Sequence, residues 1–219
     1  MSVSVENFVK TIYIAERAGE AKAKISFIAG KLGVSAAAAT DMARKLSQKK
    51  LLHYLKYKPV QLTDEGKQMA VRVIRKHRLW ESFLHEVFKM DLHEIHREAE
   101  MLEHQTSDYL AERLSAFLGN PKFDPHGDPI PDKEGRVPNN QNAISLTMAK
   151  VNGNYRITRL MGDSKSFIQF CENKGLTVGA LLEVTQIFED IGIIELQIAG
   201  NNIVLNTEVA QHIVVEEIK

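Results

Sequence analysis

Residues 24–63 read KISFIAGKLGVSAAAATDMARKLSQKKLLHYLKYKPVQLT, and their reading decides the fold. A short helix is expected from Ser26 to Leu32. Gly33 suits the left-handed turn that follows a helix end. Ser35 is a good N-cap for a second helix running to about Lys49. Two helices joined by a short glycine-bearing turn form a helix-turn-helix unit. Beyond them, LLHYLKYKPVQLT places strand-forming residues on both sides of Lys56-Tyr57-Lys58-Pro59, a small hairpin of the kind that forms the wing of a winged helix.

Towards the N-terminus, VENFVKTIYIAERA (residues 5–18) carries Val5, Phe8, Val9, Ile12 and Tyr13 at helical spacing. Towards the C-terminus, Thr63-Asp64-Glu65 caps and charges the start of a long helix that runs to Phe88. Leu92 to Leu118 gives another helix, ended by Gly119-Asn120-Pro121. Residues 121–142 hold five of the six prolines and read as an ordered loop or linker. From Ile144 the texture changes to short apolar runs, YRITRLM, LLEVTQIF, IIELQIA, NIVLN and HIVVEEI, expected as strands of a small antiparallel barrel or sandwich. The fold class is therefore mainly α with a small all-β C-terminal domain. The expected domains are 1–75, a winged helix-turn-helix; 76–142, helical with a proline-rich linker; and 143–219, the β domain.

Composition sets the bounds. With 219 residues, 44% hydrophobic and 26% charged, the chain is that of a globular protein of one to three domains. Cys171 is the only cysteine, which excludes an internal disulfide and a cysteine-based zinc site. The N-terminus lacks the apolar core of a signal peptide and no apolar run approaches a membrane span, so a cytoplasmic protein without a membrane partner is expected. Lys+Arg and Asp+Glu balance at 28 each, but their distribution is uneven. Lys22 to Arg78 is basic, and Glu81 to Glu112 is acidic and rich in histidine, which assigns two jobs to two segments.

The acidic segment contains HREAEMLEH, His96 to His104. As a helix, at about 100° per residue, His96, Glu100, Glu103 and His104 share roughly a third of the circumference. Imidazole and carboxylate are ligands for divalent first-row cations. A solvated face with favourable Glu–His neighbours fits the same spacing. His77 and Glu81 repeat it on the preceding helix, four residues apart, and facing helices with such pairs can build metal sites in a bundle core.

IAGKLGVSAAAATDMARKLSQKKLL, RKHRLWESFL, HREAEMLEHQTSDYLAERL and PHGDPIP occur in this order and at separations that resemble the diphtheria-toxin-repressor family of metal-dependent repressors, including its manganese-transport-regulator branch. The resemblance covers essentially the whole chain, including a C-terminal domain similar to an SH3-like (FeoA-like) barrel. It implies a metal-dependent repressor that binds palindromic operator DNA as a homodimer and controls metal-ion homeostasis, not an enzyme. The resemblance places the primary metal on His77, Glu100, Glu103 and His104. Asn7 sits where the family has an Asp or Met ligand, a departure that leaves a neutral amide oxygen. The resemblance gives a second site to Glu81 and His96, with Asp124, His126 and Asp163 as further candidates, making two metal ions per subunit. Oxygen donors and imidazole suit Mn(II) or Fe(II), and several carboxylate oxygens favour Mn(II). In the recognition helix that begins at Ser35, Ala37, Ala38, Thr40 and Asp41 are implied near base edges. Lys31, Arg44, Lys56 and Lys58 are implied phosphate contacts.

Two rival classes fit parts of the chain: a hydrolytic metalloenzyme using the His/Glu cluster, and a metal-independent DNA-binding module. The first leaves the helix-turn-helix unexplained and the second leaves HREAEMLEH unexplained. Trp80 and Phe83 are read as core or interface. His53, His85, His93 and His212 are read as surface residues, and Cys171 as a packed barrel residue.

Overall fold

The computed structural model describes residues 2–17, 23–162 and 164–218. The chain folds into two compact units, one of residues 1–77, 100–113 and 131–137, the other of 78–99, 114–130 and 138–219.

The first unit begins with α1 (Val3–Arg17), α2 (Ile25–Leu32) and α3 (Ala36–Gln48), followed by the short antiparallel pair β1 (Leu52–His53) and β2 (Gln61–Leu62). The expected punctuation is present. Gly33 has φ 64°, and its N–H returns to Ala29 O and Gly30 O. The Ser35 side chain accepts from Ala38 N at 3.1 Å, capping α3. Ala39 and Ala43 are fully buried, and their small side chains let α3 lie close against Ile28 and Ala29 of α2. Phe8, Val9 and Ile12 of α1 fill the same core. Glu16 of α1 accepts from Leu62 N at 2.7 Å, tying α1 to the wing. Fully burying a side chain such as Ile12 stabilises by roughly 1.5–3 kcal/mol, so α1 is bound into the winged helix by its apolar stripe.

The long helix α4 (Asp64–Phe88) opens on a Thr63 cap, with Gly66 N donating to Thr63 Oγ1 at 3.2 Å. The single helix expected over 92–118 is broken. The segment forms α5 (Leu92–Leu102), a 3₁₀ turn (Glu103–Gln105) and α6 (Asp108–Phe117). The reason is local. Thr106 Oγ1 donates back to Leu102 O at 2.8 Å, and Ser107 Oγ accepts from Leu110 N at 3.1 Å, so the pair closes one helix and caps the next. Glu103 and His104 consequently sit on the tight turn rather than on a continuous α-helical face.

The second unit contains a six-stranded antiparallel sheet in the order β3-β8-β4-β5-β6-β7, with β3 Ala143–Ser145, β4 Asn154–Leu160, β5 Leu181–Phe188, β6 Ile193–Ile198, β7 Asn201–Asn206 and β8 Ile213–Glu217. Its inward side chains alternate along the strands, as Tyr155 and Ile157 do on β4, and enclose one core with Leu146, Leu182, Val184, Leu196 and Val215. Cys171 belongs to this core, carried on α7 (Lys165–Asn173), and burial pushes its thiol up to about 12. A four-residue helix, α8 (Thr207–Ala210), lies between β7 and β8. No described helix is long and apolar enough to cross a membrane.

Candidate metal centre

Glu103 is the hub of the first unit's polar cluster. The residue is 1% exposed, and both its carboxylate oxygens are committed. His77 Nδ1 of α4 lies 2.6 Å from Glu103 Oε2, and Lys10 Nζ of α1 lies 2.8 Å from each oxygen. Lys10 also bonds Glu100 of α5. His77 Nδ1 is 3.9 Å from Glu100 Oε1. On the turn, His104 Nδ1 lies 2.6 Å from Glu6 Oε2. A carboxylate can only accept, so Nδ1 carries the proton, and in the neutral ring the lone pair is on Nε2.

That Nε2 is buried, has no hydrogen-bond partner, and lies 3.1 Å from Glu103 Oε1. Two acceptors facing each other at this distance repel unless a cation or a proton lies between them. Asn7 Oδ1, one residue from Glu6 on α1, is also buried without a partner. An imidazole oriented by a carboxylate on its far nitrogen is the arrangement metal-ligating histidines use. Ligand atoms of Glu100, Glu103 and His104 lie within 4.8 Å of one another. Hard oxygen donors with imidazole fit a divalent cation such as Mn(II) or Fe(II).

A second cluster lies in the other unit, where ligand atoms of Glu81, Asp124 and His126 come within 4.8 Å of one another, all three residues buried. His96 Nδ1, half-exposed, contacts Glu81 Oε1 at 3.1 Å, and His126 Nδ1 is 3.9 Å from the same atom. The Asp124 carboxylate is shaped by its loop: Oδ1 accepts from His126 N and Asp128 N, each at 2.9 Å. Oδ2 is buried with no hydrogen-bond partner, and Arg78 Nε stands 3.6 Å away. Burial first, then Glu81 and Asp128, push the Asp124 carboxyl well above the usual carboxylate range. A divalent cation would relieve that cost. The loop is held against β4: Leu160 N donates to His126 O at 2.8 Å, and Gly127 has φ +85° with Thr158 O only 2.0 Å from where a Cβ would be.

The structure thus gathers His77, Glu100, Glu103 and His104 with Asn7 nearby on α1, and separately Glu81, His96, Asp124 and His126. Asp163 lies outside the described residues. Sequence reading missed Glu6 and Lys10. The available signal was their spacing, since Glu6, Asn7 and Lys10 fall on one side of α1. Three histidines read as surface residues are not simply solvated: His85 Nδ1 contacts Met90 O at 3.0 Å, His93 Nδ1 is buried, and half-buried His212 packs edge-on against Phe167 with ring centroids 5.8 Å apart.

On the winged helix, Ala36, Ala37, Ala38, Asp41, Arg44 and Lys45 form the exposed side of α3. Thr40 is half-buried, its hydroxyl donating to Ala36 O at 2.7 Å. Asp41 pairs with Lys45 at 2.7 Å, which offsets its negative charge. Lys31, Lys56 and Lys58 are exposed, and Lys56 Nζ lies over the Tyr57 ring at 4.7 Å. A cleft of about 300 Å³ is lined by Thr40 and Arg44 on one side and Lys56, Tyr57 and Lys58 of the wing on the other.

Fold and site together define a winged-helix protein that carries two buried His/carboxylate clusters. Residues 1–60 match the family model for the iron dependent repressor N-terminal DNA binding domain, 63–132 that for the iron dependent repressor metal binding and dimerisation domain, and 144–217 that for the FeoA domain. A solved manganese-dependent transcriptional repressor in complex with manganese is 32% identical, with a TM-score of 0.90 over 98% of this chain and 100% of that one. The manganese regulator SloR is 32% identical with a TM-score of 0.80, covering 100% of both chains. The chain belongs to the family of iron-dependent repressors. The diphtheria toxin repressor of Corynebacterium glutamicum is 32% identical over 128 residues, 58% of this chain and 56% of that protein, so the chain spans about half the length of the curated relatives it matches.

Proposed function

We propose that this protein is a transcriptional repressor activated by Mn(II) or Fe(II), binding palindromic operator DNA as a homodimer in the cytoplasm, with two metal ions per subunit. The observation that carries this reading is the His104 Nε2 atom, buried without a hydrogen-bond partner 3.1 Å from Glu103 Oε1, with Glu6 contacting the far ring nitrogen. His77, Glu100, Glu103 and His104, with the Asn7 amide oxygen, would hold the primary ion, and Glu81, Asp124 and His126, with His96, the second. A bound divalent cation supplies positive charge to buried carboxylates and a bridge between ligands.

The chain's own residues do the rest. Glu6, Asn7 and Lys10 stand on α1, whose apolar stripe is part of the winged-helix core, so a change at the site is felt by the reading head. Ser35 starts the recognition helix, whose exposed alanines offer only methyl contacts to thymine. Direct readout through Ala37, Ala38, Thr40 and Asp41 is therefore thin, and DNA shape supplements it. Lys31, Arg44, Lys56 and Lys58 supply phosphate contacts. Dimerisation is supported by an aromatic cluster in the second unit. Phe83 contacts Trp80, Phe88 and Phe117 with centroids 5.6, 5.5 and 5.7 Å apart, while Phe88 and Phe117 are 62% and 69% exposed. Such surface belongs in an interface. The division of labour is 1–75 for DNA, 76–142 for metal and dimerisation, and 143–219 for the barrel.

His104→Ala tests the reading, because it removes one ligand and leaves the folded dimer. The variant should lose metal-activated DNA binding. Activation equal to the wild type would remove the cluster from the mechanism.

A further inference from the structure

Lys10 is an unexpected member of a cation site. The residue is 8% exposed, and its ammonium reaches both oxygens of Glu103 at 2.8 Å and also bonds Glu100. Glu103's side chain is fully buried, and a carboxylate so placed with no cation is costly. The ammonium takes the position relative to Glu103 that a chelated cation takes, since it spans both oxygens.

We propose that Lys10 is a built-in placeholder for the metal ion. In the metal-free protein its ammonium bridges Glu100 and Glu103, offsets one of their two negative charges and keeps the ligand set assembled. A divalent cation enters by displacing it, an exchange of a single for a double positive charge on the same two carboxylates. This inference rests on the proposed metal site and adds a threshold to it. Metal has to compete with an internal cation, so the response begins at a higher free-metal concentration than the ligand set alone would give. Two further features favour exchange over a permanent three-way arrangement. Both Glu103 oxygens are already occupied by the ammonium, and Glu103 Oε2 also receives His77. The ammonium, moreover, is a strong repulsive neighbour for a divalent ion in a buried site.

Displacement makes Lys10 accessible, and this can be read in the unaltered protein. The full chain, freed of metal with a chelator and then given saturating MnCl2, is pulse-labelled with an amine-acetylating reagent, and each lysine is followed by mass spectrometry. Acetylation of Lys10 should be slow without metal and rise at least about tenfold with it, as burial is lost, while exposed Lys56 and Lys58 stay constant. In parallel, Mn(II) affinity is measured calorimetrically for the wild type, Lys10→Met and Lys10→Gln. Removing the competing charge should tighten the first-site affinity by on the order of tenfold or more. Lys10 protection unchanged by Mn(II), or first-site affinity in a folded Lys10 variant equal to or weaker than the wild type, overturns the proposal while leaving the metal site standing. If Glu103→Gln binds Mn(II) at the first site as the wild type does, the site assignment itself fails, and the placeholder with it.

Discussion

Replacing Glu103 by Gln should destabilise the metal-free protein, although only one atom changes and no volume is lost. The glutamate side chain is fully buried and answers two partners, Lys10 Nζ on both oxygens at 2.8 Å and His77 Nδ1 at 2.6 Å, while His104 Nε2 stands 3.1 Å from Oε1. The amide retains one acceptor oxygen and turns an N–H₂ donor toward Lys10 or His77, both donors themselves. Removing one partner of a buried ion pair costs about 3–5 kcal/mol. Glu100 still bonds the ammonium, so the loss belongs at the lower end, about 3 kcal/mol. Urea unfolding of chelator-treated protein, followed by circular dichroism, reads this as a lowered midpoint at unchanged slope. The same variant should gain less stability from saturating Mn(II) than the wild type, because the first site's binding energy is absent. A variant whose metal-free midpoint equals the wild type's would refute the hub role assigned to Glu103.

Other outcomes follow from the same geometry. Asp124 has a folded-state pKa raised above the unfolded value of 3.8, so the metal-free fold loses stability as pH climbs through the window above 3.8 and the buried carboxyl ionises. Asp124→Asn should therefore stabilise the metal-free protein at neutral pH, with the gain vanishing as pH falls below about 4, and should weaken the second metal site; thermal unfolding across pH, with and without Mn(II), checks both. Lys56→Ala and Lys58→Ala should weaken binding to all DNA sequences alike, each lowering the salt slope by about one unit in anisotropy titrations. Asn7→Asp should tighten Mn(II) binding by adding charge to a hard-cation site, and Asn7→Met should weaken Mn(II) relative to Co(II), both read by calorimetry.

The winged helix was legible because its punctuation is local. Gly33, Ser35 and Lys56-Tyr57-Lys58-Pro59 act within a turn of where they stand. The break after His104 was less legible, although its cause is in the string: Thr106 and Ser107 favour capping over continuation, but a helical apolar pattern on both sides masks them. Helix α7 escaped for a similar reason, since KSFIQFCEN is one short amphipathic stretch among strands. The His/Glu faces of α4 and α5 were legible from spacing, which fits a solvated face as well, and the family resemblance assigned them to metal. Lys10 was not, because its partners lie 90 and 93 residues away and nothing in VENFVKTIY marks one lysine as buried. The Glu81–Asp124–His126 cluster likewise depends on a loop held to β4 by His126 O and Gly127, which no local pattern announces.

The most direct test of a metal-switched repressor is a gel-shift titration of the full chain against duplex DNA from its own upstream region, with Mn(II), Fe(II) and Zn(II) in turn and a chelator added last. The metal-switch mechanism predicts no specific shift without metal, a specific shift at low Mn(II) or Fe(II), and its loss on chelation. A specific shift of equal affinity in the chelated protein would contradict it.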